Sequence, residues 1–92
     1  MTELDFFVAE QIKTLVPSYD TVELKATVSA SSFSVEFFAT FDGKKMQCFE
    51  MIDEGMFTEK NFNAVSKAIA NYFRGLSDFN ANGINKYIVV LK

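Results

Sequence analysis

The chain has 92 residues, a net charge of −3 and a hydrophobic fraction of 49%, which is core enough for one domain and too little for two. It carries no His, no Trp and a single Cys, so His-based nucleophile–base pairs, His/Cys metal clusters and internal disulfides are excluded. A pI near 4.8 argues against a nucleic-acid partner, whose binding rests on clustered Lys and Arg, and favours a basic protein.

The first segment reads as a helix. Thr2 is placed to cap it with Asp5 as the capping-box acid. Leu4, Phe7, Val8, Ile12, Leu15 and Val16 recur at helical spacing, and Pro17 ends it by forcing Val16 out of the helical region. From Thr21 to Ser29 the period drops to two: Val22, Leu24, Ala26 and Val28 share one face of a strand. Ala30-Ser31-Ser32 is a polar turn, and Phe33–Phe41 alternates again, with Phe33, Val35, Phe37, Ala39 and Phe41 on one face.

Asp42-Gly43 suits a two-residue type I′ turn, whose central positions both need positive φ. That turn sets Phe41 opposite Lys44, Ala39 opposite Met46, Phe38 opposite Gln47 and Phe37 opposite Cys48, in a strand expected over Lys44–Met51. Met46 and Cys48 then join the core face, while Phe38, Phe49 and Met51 form a second apolar patch on the opposite face. Ile52–Phe57 reads as a loop. Thr58 caps a long helix with Phe62, Val65, Ile69, Tyr72, Phe73, Leu76 and Phe79 as its apolar stripe, Gly75 marking a bend or close packing, and Asn82-Gly83 as its exit. Tyr87–Leu91 closes the chain as a strand whose unbroken apolar run suggests cover on both faces. The expected fold is α+β, a single domain over 1–92 in the order α-β-β-β-α-β. An antiparallel meander packs against the helices in two layers, or in three if the helices take opposite faces.

Few groups are placed for chemistry. Glu36, Glu50, Asp53 and Glu54 are the candidate carboxylates for acid–base work, but they read as solvated surface. Ser31-Ser32 has no base nearby, Cys48 points into the core as a small hydrophobe, and Asp53-Glu54 lacks the spacing of a calcium loop. The four glycines form no phosphate-binding fingerprint. No catalytic residue, metal or cofactor is expected. The surface candidates are Phe38, Phe49 and Met51 as apolar anchors within an acidic rim of Glu36, Glu50, Asp53 and Glu54, a pattern suited to a basic protein such as a nuclease. Packing by a helix is the alternative for the apolar patch.

Several stretches carry a resemblance. They are the helix ending Leu15-Val16-Pro17, the strand opening Tyr19…Val22-Glu23-Leu24 and the Phe-rich hairpin. Phe57-Thr58-Glu59-Lys60-Asn61-Phe62 follows at the head of a helix carrying Tyr72-Phe73-Arg74, with Asn82-Gly83 and Tyr87–Leu91 at the close. In these the chain resembles the YezG-like immunity proteins of bacterial polymorphic toxin and contact-dependent inhibition systems. The resemblance implies a non-enzymatic inhibitor that binds a cognate toxin, often a nuclease, and blocks it by occlusion. The alternatives are a small ligand-binding domain, with its pocket between the long helix and the sheet, and a homodimeric structural subunit. The opening residues Met1–Asp5 lack a basic, then apolar, leader and no stretch has transmembrane length, so a cytoplasmic protein without membrane association is expected.

Overall fold

A computed structural model describes Thr2–Lys92; Met1 lies outside the described residues. The elements are α1 (Glu3–Leu15), β1 (Thr21–Val28), β2 (Phe33–Phe41), β3 (Lys44–Gln47), α2 (Cys48–Asp53), α3 (Glu59–Arg74) and β4 (Asn85–Leu91). The fold is α+β in the expected order, with one short helix added between β3 and the long helix.

Local chemistry sets the boundaries. Thr2 and Asp5 form a reciprocal capping box, each backbone N–H donating to the other's side chain at 3.1 Å. Val16 leaves helical geometry at φ −126°, ψ 91°, as the following Pro requires. Asp42 and Gly43 have φ of 53° and 74°, which is the type I′ turn. The register beyond it pairs Phe41 with Lys44, Ala39 with Met46 and Phe38 with Gln47. Thr58 Oγ1 accepts from the Asn61 N–H at 3.0 Å and starts α3.

The strands form one antiparallel sheet in the order β3-β2-β1-β4. Val22, Leu24, Ala26 and Val28 of β1 are fully or almost fully buried beneath the helices, together with Val35, Phe37 and Ala39 of β2 and Leu91 of β4. Both long helices lie on this same face. Phe7 of α1 stacks on Tyr72 of α3 at 4.4 Å, and Phe73 meets Tyr87 of β4 edge-on at 5.8 Å. The molecule therefore has two layers, and its thinnest extent is 17 Å.

Three expectations need correction. First, the strand expected over Lys44–Met51 stops at Gln47, and the chain turns into α2. Glu50 Oε1 accepts from the Gln47 N–H at 3.2 Å, closing the first turn as an N3 acid does. Helical geometry then carries Cys48 and Met51, three apart, into the core together. Cys48 is buried as expected, but as the first residue of a helix.

Second, α3 ends at Arg74 with Gly75 as its C-cap, where the Gly75 N–H donates to Asn71 O and Tyr72 O. Gly75 is thus a terminus and not a bend. Leu76 and Phe79 bound a single following turn, in which the Phe79 N–H donates to Leu76 O, and Asn82-Gly83 lies in the loop before β4. That loop is held by Asn85, whose side chain accepts from Asn80 N and donates to Asn80 O and Val28 O, at 2.9–3.1 Å.

Third, β4 is an edge strand covered on one face only. Tyr87, Val89 and Leu91 pack inward, while Ile88 and Val90 remain 71% and 52% exposed. Val and Ile are favoured on a half-buried pleat as well as a fully buried one, so the composition of this run did not distinguish the two.

Candidate partner-binding surface

The seven residues singled out from the sequence fall into three places. Phe49, Glu50, Asp53 and Glu54 lie together on the exposed side of α2. Phe38 and Glu36 lie on the outer, helix-free face of the sheet. Met51 is fully buried and cannot touch a partner. The expected Phe38–Phe49–Met51 patch does not exist, because a strand period of two becomes a helical period at Cys48 and separates the three side chains.

The α2 surface has a clear composition. Phe49 is half exposed, with its inner edge packed on Phe62 in a T-shaped pair at 5.7 Å. Gly55 turns the chain with φ +79°, a conformation that favours Gly, and presents Met56 to solvent. Glu59 follows at the head of α3. Among the described residues, Glu50, Asp53, Glu54 and Glu59 are in no ion pair; the salt bridge present joins Lys45 to Glu23 at 2.6 Å on the outer sheet face. Two apolar side chains are thus framed by uncompensated carboxylates. Met56 was missed from the sequence, although an apolar residue beside Gly in an acidic loop is a readable signal.

The outer sheet face is different. Phe38, Ile88 and Val90 are exposed there between Glu23, Lys25, Glu36, Lys45 and Lys86, so both charge signs are represented. Lys45 lies over the Phe38 ring at 5.3 Å. A shallow trough of about 330 Å³ runs across Phe38, Ile88 and Val90.

A second, smaller hollow of about 200 Å³ opens where β3 ends. Its walls are Phe33, Ser34 and Val35 of β2, Phe49 of α2, and Phe62, Asn63 and Ser66 of α3. Ser66 is 3% exposed and its Oγ has no hydrogen-bond partner, which is unusual for a buried hydroxyl. Nothing in the sequence sets Ser66 apart from an ordinary helix serine.

The Cys48 thiol is pushed up from its ordinary pKa mainly by burial, with the nearby Glu36 charge adding to the shift. Among the described residues, no three Cys, Asp or Glu side chains are grouped to hold a metal, and no helix is long and apolar enough to cross a membrane. Compared with known protein families, curated proteins and solved structures, the chain matches none.

Proposed function

We propose that this protein binds and neutralises a basic partner, a bacterial toxin of the nuclease type, by occluding it with α2 and the turn into α3. The observation that carries this reading is the set of unpaired carboxylates, Glu50, Asp53, Glu54 and Glu59, around the exposed Phe49 and Met56. A nuclease cleft must attract phosphates and is therefore basic. An acidic surface accelerates encounter with it, and apolar anchors slow release. The resemblance to immunity proteins supports the same role. Glu36, on the outer face but beside the start of α2, adds to the negative field.

The test is copurification with the proteins encoded beside its gene, followed by kinetics at two salt concentrations. A one-to-one complex with a basic toxin domain is expected. The double variant Asp53→Lys, Glu54→Lys should slow association by about tenfold or more at low salt and flatten its salt dependence. A wild-type complex whose kinetics ignore that charge reversal would overturn the assignment of α2, and the absence of any basic partner would overturn the role.

A homodimer is the second reading, favoured by the uncovered Ile88 and Val90 on an edge strand, since such edges invite pairing with another copy. Mass that rises with concentration in sedimentation would select it; a monomer throughout would dismiss it.

A further inference from the structure

The sheet has a gap beside α2. β3 pairs only with Phe38–Phe41 of β2, whereas β2 pairs with β1 from Phe33 to Thr40. Over Phe33–Glu36, β2 is therefore bonded on one side only. Backbone directions alternate along a strand, and the residues flanking a two-residue hairpin exchange both hydrogen bonds. Counting back from Phe41, the N–H and C=O groups of Phe33 and Val35 point to the open side. The hollow lined by Phe49, Phe62 and Ser66 also includes Phe33 and Val35 of this edge.

We infer that this edge receives an extended segment of the protein's partner, which adds a short strand beside Phe33–Val35 and places one apolar side chain in the hollow. The inference deepens the inhibitor reading and rests on it only for the partner's basic character.

Three observations converge on it. The unpaired edge supplies main-chain hydrogen bonds, and a pocket beside such an edge supplies side-chain selectivity. The hollow combines apolar Phe33, Val35, Phe49 and Phe62 with polar Ser34, Asn63 and Ser66, and its rings and Val35 suit an apolar side chain. The edge is also preorganised: Arg74 donates from Nε to Ser29 O and from Nη2 to Ser32 O, at 3.0 and 3.1 Å. Its guanidinium also lies 5.8 Å from the centre of the exposed Phe33 ring. These contacts fix the start of β2 before any partner arrives, which lowers the ordering cost of binding. Glu36 and Glu50 follow directly on Val35 and Phe49, so Lys or Arg beside the inserted apolar residue is the favoured sequence. The free edge of β4 is longer but has no hollow with a buried polar group.

The probe is a phage-displayed library of short random peptides selected on the immobilised full chain. Enriched peptides should carry an apolar residue flanked by Lys or Arg and should slow amide exchange at Phe33 and Val35. Asn63→Trp, at an exposed position on the rim, should block the hollow and weaken these peptides by about tenfold or more without changing the thermal midpoint. Ser66→Ala should leave the fold at least as stable and the peptides bound at least as tightly, because it removes an unsatisfied hydroxyl beside an apolar side chain. Failure to enrich any peptide, protection confined to β4, or equal binding by Asn63→Trp would overturn the site. The two proposals fail separately. A toxin complex that leaves Phe33 and Val35 amides unprotected sinks the edge site alone, whereas edge-binding peptides without any basic partner sink the inhibitor role alone.

Discussion

The phenol of Tyr87 donates a hydrogen bond to the carboxylate of Asp5, tying the last strand to the first helical turn across 82 positions of sequence. Asp5 also accepts from the Thr2 N–H in the capping box, so one carboxylate serves helix initiation and tertiary closure. The Tyr87 bond is the main reason its pKa lies below the ordinary 3.8, with the Thr2 bond assisting. Tyr87 is pushed well above its ordinary 10.0, chiefly by burial and then by the Asp5 hydrogen bond and charge.

Both shifts make stability depend on pH. Near and below pH 3.8, the unfolded chain takes up a proton that folded Asp5 resists, so this contribution, full above that range, is lost as pH falls through the lowered folded pKa. Above pH 10 the unfolded Tyr87 loses a proton that the folded phenol keeps, so its contribution is full below pH 10 and declines as pH rises. Tyr87→Phe should cost about 1 kcal/mol at neutral pH, allowing for the partial exposure of the pair. It should also flatten the alkaline decline. Urea unfolding of both proteins from pH 3 to 11 measures this; parallel curves would refute it.

Met51 and Phe49 are two residues apart and opposite in role. Met51→Ala should cost about 2–5 kcal/mol, since the side chain is fully buried and its removal leaves a cavity. Phe49→Ala should cost about 1 kcal/mol or less, the worth of an edge-on aromatic contact, yet weaken the partner complex more than any other single change on α2. Denaturation and binding titrations on the same two variants separate these effects. A strand through Met51 would put both side chains on one face and bring the two stability costs together.

Cys48 should be inert to a thiol-reactive dye in the folded protein and react fully in urea, because it is fully buried and burial raises its pKa. Labelling at the rate of a free thiol would place it on the surface and contradict α2.

At the hairpin, Gly43→Ala meets no neighbouring atom but must keep φ near +74°, so it should cost about 1 kcal/mol through backbone strain alone. Ile88→Lys, on the exposed face of the edge strand, should leave the unfolding midpoint almost unchanged and reduce any self-association. Loss of fold in Ile88→Lys would mean that the outer face is covered in the monomer.

Much of the fold was legible because its signals are local. Thr2 with Asp5, Thr58, Pro17 and Asp42-Gly43 each set a cap, stop or turn by chemistry acting over a few residues, and the alternation in β1 and β2 needs only the pleat of a strand. The α2 segment had such a signal too. Cys48, Met51 and Ile52 are apolar at helical spacing, with Gln47 and Glu50 placed to open a turn, but the register projected from the hairpin led to a strand instead. The candidate surface was half legible for the same reason: the acids and Phe49 were identified, while Phe38 and Met51 were assigned to them by a period that had already changed.

By itself, then, the sequence determined the caps, the hairpin and its register as far as Gln47, the inward faces of β1 and β2, and the acidic balance. Only the tertiary structure decided that both long helices share one face, that β4 joins β1 at the edge, and that β3 ends early enough to leave Phe33–Glu36 open above Ser66. Those outcomes depend on which surfaces compete for the same apolar area across tens of residues. Helical and strand periods state that a face is to be buried; the packing alone chooses what buries it.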